Sequence, residues 1–211
     1  LQTVWPVFLP RPRVAYRRER WELPDGDFID LDWLDGPAHA PLVVLFHGLE
    51  GSSRSHYARA LMAALRARGW RGAVVHFRGC SGEPNRLARA YFAGDSAEIG
   101  YVLGRLHAGN GEAPLHAVGV SLGGNALLKW LGEQGATARS VLRRAVAISA
   151  PLDLNVCGEA LELGFNRVYT AHFLVSLKAK ARARLHRHPE LCDPRRLAAA
   201  NTIREIGRAH V

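Results

Sequence analysis

The sequence predicts an α/β protein: a mostly parallel, doubly wound sheet, entered through an antiparallel hairpin and followed by a helical lid. Three observations carry this. Four short apolar runs, at residues 41–46, 72–77, 115–120 and 145–149, read as central strands. Segments with helical spacing lie between them, at residues 57–68, 96–107 and 122–133. Alternating strand and helix puts parallel strands in one sheet with crossover helices on both faces.

The elements follow in order. Residues 16–23 and 28–34 flank Pro24-Asp25-Gly26-Asp27, and Asp-Gly between two strand-like runs is a hairpin signal. The second run alternates apolar and acidic side chains. In residues 57–68 the apolar positions Tyr57, Leu61 and Leu65 recur at helical spacing, and Gly69 is a favourable helix end. In residues 96–107, Ile99, Val102, Leu103 and Leu106 share a face. Asp95 stands where an N-cap belongs, with Glu98 in the first turn. The third helix is closed by Gly135. Beyond Pro151 no β run follows. Residues 157–163, 168–185 and those from Pro194 onward read as helices.

Composition bounds the function. The chain has 211 residues, 48% hydrophobic and 22% charged, which fits one packed domain and excludes wholesale disorder. The net charge is +9, but only Lys129, Lys178 and Lys180 are lysines and the arginines are spread along the chain. No aromatic interleaving accompanies them, so nucleic acid is not an expected partner. No apolar run approaches the roughly 20 residues of a membrane span, and no signal-peptide pattern opens the chain. Cys80, Cys157 and Cys192 are too scattered for a disulfide framework or a zinc site, which suits a reducing, cytoplasmic compartment. Nothing calls for a cofactor or metal, and the oligomeric state is left open.

Chemistry enters at Gly119-Val120-Ser121-Leu122-Gly123, which matches G-x-S-x-G. The pentapeptide alone is common; following a strand and opening a helix makes it specific. Such a turn needs residues without bulk two before and two after the serine, and Gly119 and Gly123 supply them. It lifts Ser121 to the carboxyl end of the sheet and aims helix-start amides at the same place. A second set of donors is expected from the loop after an earlier strand, here His47-Gly48-Leu49-Glu50-Gly51-Ser52. The backbone N–H groups of Leu49 and Leu122 are the candidate oxyanion donors, with Gly48 giving the loop its close approach. His47 is expected to shape the loop and not to act as a base.

His47-Gly-Leu-Glu-Gly-Ser-Ser, Phe77-Arg-Gly-Cys-Ser-Gly-Glu-Pro-Asn85 and Gly119-Val-Ser-Leu-Gly-Gly-Asn125 resemble the YheT-like branch of the α/β-hydrolases, whose eukaryotic relatives are the ABHD1/ABHD3-type lipid hydrolases. The opening residues 1–13 are similar to that branch as well, and the likeness covers roughly residues 1–200. It implies a serine hydrolase with Ser121 as nucleophile, acting on a small-molecule carboxylic ester of short or medium acyl chain or lipid-like character. Two alternatives use the same fold: an acyltransferase in which an alcohol replaces water in the second step, and a binding protein with an incomplete triad.

The departure from the family lies after Ser121. The triad order in this fold is serine, acid, histidine, the last two on loops after later strands. Asp153 stands one strand too early and reads as a helix N-cap or lid hinge. His172, His186 and His188 follow no late strand. Residues 1–204 are therefore read as a partial hydrolase domain with its last strands missing, about 152–190 as its lid, and roughly 100 further residues are expected. The fragment is then expected to be nearly inactive, with strand 145–149 left as a bare edge. The last seven residues, 205–211, match the translation of a sequencing adapter and are expected to be extraneous.

Other residues have duller expectations. Arg78 and Cys80 are more suited to shaping their loop than to lining a pocket. His76, His107 and His116 read as structural. The basic run from Lys178 to Arg187, beside Phe173, Leu174 and Leu177, reads as a solvated lid face, with weak lipid-surface contact as the alternative.

Overall fold

The computed structural model describes residues 12–208. The similarity expected for residues 1–13 thus falls almost wholly outside the described residues. Six strands form one sheet: β1 (Arg17–Glu22), β2 (Phe28–Leu34), β3 (Leu42–Phe46), β4 (Arg71–His76), β5 (Leu115–Val120) and β6 (Arg144–Ile148), in the order β1-β2-β4-β3-β5-β6. β1 pairs antiparallel with β2, and β2 antiparallel with β4. β4, β3, β5 and β6 run parallel. The expected hairpin and four central strands are all present.

Strand pleating sorts the core. On β3, Leu42, Val44 and Phe46 point to one face, where they meet α2 (Ser96–Gly109) and α3 (Leu122–Gln134). Val43 and Leu45 point to the other, against α1 (His56–Ala67) through Ala58, Met62 and Leu65. Helices on both faces are why β3 is apolar throughout. The Asp95 carboxylate accepts from the Glu98 N–H at 3.4 Å, so it caps α2 as its position predicts.

The hairpin departs from a simple alternation. Asp30 and Asp32 of β2 are 1% and 4% exposed, although acidic. Arg20 and Arg18 reach across from β1 to meet them at 2.8 and 2.7 Å. His76 adds its Nε2 to Asp32 at 2.9 Å. Charge pairing replaces solvent there.

A 3₁₀ turn (Gly135–Thr137) and α4 (Ala138–Val141) link α3 to β6 and are too short to leave a periodic signal. After β6 come α5 (Leu154–Leu161), a second 3₁₀ turn (Gly164–Asn166), α6 (Arg167–Arg187), α7 (Pro194–Ala199) and α8 (Ile203–Arg208). Asp153 caps α5, accepting from the Asn155 and Val156 N–H groups at 2.9 and 3.0 Å. α8 begins before the tail expected to be extraneous; Ile206 is buried, and residues 209–211 lie outside the description. β6 forms a sheet edge with Val146 and Ile148 about half exposed. Among the described residues no helix is long and apolar enough to cross a membrane.

Candidate active site

Among the parallel strands the order reverses direction once. From β3 the chain winds outward to β4, then returns past β3 to β5. The crevice at the carboxyl ends of β3 and β5 is therefore the switch point, where open α/β sheets bind ligands. Both sequence motifs arrive there, the glycine-rich loop after β3 and Ser121 after β5.

Ser121 occupies a left-handed corner, with φ 52° and ψ −119°. Such a conformation in a residue with a Cβ costs on the order of 1–3 kcal/mol and persists only where the surroundings impose it. They do so here. The Ser121 N–H donates to Ile148 O of β6 at 2.8 Å, and its carbonyl accepts from the Asn125 N–H at 2.9 Å. The two glycines are close-approach residues. A Cβ at Gly119 would lie 2.6 Å from both Gly123 O and Gly124 Cα. A Cβ at Gly123 would run into the carbonyls of Phe46 and His47, the latter at 2.5 Å. Bulk at either position would push α3 off the sheet.

Gly48 meets the serine. A Cβ there would stand 3.1 Å from Ser121 Cβ and 3.7 Å from its Oγ. Polar anchors fix this loop. The Gly48 N–H donates to the Tyr57 hydroxyl at 3.0 Å, and the Glu50 N–H to the Tyr91 hydroxyl at 3.0 Å. Tyr91 donates in turn to Glu50 Oε1 at 2.8 Å; burial pushes its phenol pKa well up, so it keeps that proton. Glu50 itself sits at φ 56°. Among the described residues, the N–H groups of Leu49 and Leu122 donate to no protein acceptor.

His47 is fully buried, and burial pulls its pKa down to about 3. Its Nε2 accepts the Phe77 N–H at 3.1 Å, so in the neutral ring Nδ1 carries the hydrogen and donates to Gly48 O at 2.8 Å. Both ring nitrogens are committed to backbone, which makes His47 a loop-shaping residue as expected.

The Ser121 side chain is half-buried, and its hydroxyl makes no hydrogen bond among the described residues. It lines none of three cavities of about 430, 460 and 460 Å³. Among the described residues no histidine hydrogen-bonds to it: His76 bonds to Asp32 and Cys80 O, His116 stacks on Trp70, and His188 contacts Arg86 O. His107, expected near the core, is exposed on α2.

Arg78 is both a loop residue and a cavity-wall residue. It is buried and pairs with Asp25 at 2.9 Å, Asp27 at 3.1 Å and Glu98 at 2.7 Å. Asn85 donates to Asp27 Oδ1 at 2.8 Å and to Phe28 O at 2.7 Å. The Arg-Gly-Cys-Ser-Gly-Glu-Pro-Asn stretch is thus a knot between the hairpin turn, β4 and α2. Cys80 is buried, which raises its thiol pKa and suits no nucleophile. Among the described residues no cluster of His, Cys, Asp or Glu is placed to hold a metal.

The basic run on α6 is a solvated face only in part: Arg182 and Arg187 are exposed, while Lys180 and Arg184 are half-buried. Lys180 pairs with Glu50 Oε1 at 2.9 Å, and the Ser176 hydroxyl donates to Glu50 Oε2. Arg184 turns toward Ala88 O. α6 is thereby docked on the loops after β3 and β4.

Residues 41–197 match the family described as alpha/beta hydrolase fold. The chain belongs to this family. An alpha/beta hydrolase neighbour in structure, an esterase from Pyrococcus furiosus, has a TM-score of 0.58 at 18% identity over 74% of this chain and 64% of that one. Within the alpha/beta hydrolases the chain is 44% identical over 210 residues to "Putative esterase YheT" of Escherichia coli (strain K12), covering 98% of this chain and 61% of that protein. It is 29% identical over 212 residues to Phospholipase ABHD3 of Mus musculus, covering 96% and 51%. The chain thus spans little more than half the length of these relatives.

Proposed function

We propose that Ser121 is the nucleophile of a serine hydrolase that cleaves carboxylic esters of short or medium acyl chain or lipid-like character. Ser121 Oγ attacks the ester carbonyl carbon. The N–H groups of Leu49 and Leu122 hold the tetrahedral oxyanion, helped by the positive end of α3. Collapse expels the alcohol and leaves acyl-Ser121; water then releases the acid. The observation that carries this reading is the left-handed corner at Ser121, held against Gly48 at the switch point of the sheet. An esterase and a phospholipase among the relatives' names agree with it.

Serine is a weak nucleophile until a base takes its proton. No histidine or carboxylate meets Ser121 Oγ among the described residues, and the chain spans 61% of the YheT relative. We therefore place the triad acid and histidine in sequence that would follow residue 204 in the longer protein. Steady-state hydrolysis of p-nitrophenyl butyrate tests both statements. The longer polypeptide is expected to turn over, and Ser121→Ala to lower its kcat by about 10³-fold or more. The 211-residue chain is expected to be slower by a similar factor. A Ser121→Ala enzyme with undiminished kcat contradicts the reading. Added alcohol, with ester formation as the readout, separates hydrolysis from acyl transfer.

A further inference from the structure

A cavity of about 430 Å³ opens between α6 and the loops after β3 and β4. That size suits a small ligand. Its walls carry six cationic side chains and only two carboxylates, Glu50 and Glu83. Three of the cations are neutralised within the protein. Arg78 is held by Asp25, Asp27 and Glu98, Arg89 by Asp95 at 2.9 Å, and Lys180 by Glu50. Glu83 turns to Arg20 at 3.0 Å.

Arg54, Arg184 and Arg187 remain. Among the described residues none of them has a carboxylate within ion-pair distance. Arg184 is half-buried, and its guanidinium donates only to Ala88 O at 3.4 Å. Burial lowers its pKa, and the more distant Glu50 offsets only part of that. Arg187 donates to Asn85 O at 3.2 Å. Lys180, Arg184 and Arg187 follow one another at helical spacing, so α6 turns a cationic stripe to the cavity. Like charges at this spacing repel. The carboxyl end of the helix dipole accounts for basic residues in the last turn but not for Arg184 lying half-buried at the cavity wall.

We propose that this cavity binds a phosphate group, free or carried by a small organic molecule. Guanidinium forks match phosphate oxygens in geometry, and a dianion answers the unopposed positive charge where a monocarboxylate would answer less of it. Ser121 does not line this cavity, and binding there does not depend on hydrolysis.

Titration calorimetry at constant ionic strength tests it, with inorganic phosphate and sn-glycerol 3-phosphate as probes and chloride buffer as the blank. Saturable one-to-one binding is expected. Arg184→Gln and Arg187→Gln should each weaken it by about tenfold. Arg187 is exposed, so its variant keeps the fold even where the Arg184 variant does not. Arg139→Gln, an equal charge change on α4 at the opposite end of the sheet, should leave affinity unchanged. Tighter binding of the glycerol phosphate identifies an organic phosphate as the ligand class, and equal or weaker binding identifies free phosphate. No saturable heat with either probe, or unchanged affinity in both arginine variants, overturns the proposal. Because heat and not turnover is read, that failure leaves the Ser121 assignment standing, and the reverse holds.

Discussion

At Gly123 the backbone of α3 passes against the carbonyls of Phe46 and His47, leaving no room for a methyl group. Gly123→Ala is therefore expected to destabilise the chain by about 1–3 kcal/mol through overpacking, measured by urea unfolding. Gly48→Ala acts on the other side of the crevice. Its Cβ, 3.1 Å from Ser121 Cβ, displaces the loop that carries the Leu49 amide. The expected result in the longer polypeptide is a kcat lower by roughly 10²-fold with KM little changed, since a donor to the transition state is moved. His47 gives a pH signature. The folded protein resists protonating it until about pH 3, while the unfolded chain accepts the proton near 6.5. The unfolded state thus binds more protons across that window, and stability falls as pH drops from about 6.5 toward 3. Unfolding midpoints of His47→Gln should show a flatter slope between about pH 6.5 and 4.5, above the range in which Asp32, held low by Arg18 and His76 against its burial, begins to lose its charge.

At the level of elements, local signals were legible and long-range pairings were not. Continuous apolar runs and the hairpin signal placed every strand, helical spacing placed the three core helices to within a few residues, and the Asp95 and Asp153 caps were visible from position alone. The residues that hold the site together left no such mark. Tyr91 meets Glu50 across 41 positions, and Arg78 meets Asp27 across 51. Only the fold brings them together. The basic run on α6 misled for the same reason, because a charge pattern does not reveal that Glu50 lies opposite Lys180. The Arg78 knot is where this matters most for stability. Arg78→Met strands buried Asp27 and Glu98 without their cation, and a loss of about 3–5 kcal/mol is expected in the same unfolding assay. A variant as stable as the unsubstituted chain would show that the knot is dispensable.

For the whole molecule, the sheet organises everything else. The reversal between its parallel strands β3, β4 and β5 puts the Gly48 loop and Ser121 side by side, and α6 docks over the loops next to them. The far edge is open. β6 presents Val146 and Ile148 half exposed, and Leu152, Val156, Leu163 and Phe165 beyond it are more exposed still. An apolar strand edge of this kind pairs readily with another chain. The 211-residue chain is expected to self-associate in light scattering, and Ile148→Lys to reduce it.

The central claim, that Ser121 is the nucleophile, is tested most directly by a fluorophosphonate probe on the longer polypeptide, with the modified peptide located by mass spectrometry. The adduct is expected on Ser121 and is expected to vanish in Ser121→Ala. An adduct on another residue, or labelling that survives that substitution, would contradict it.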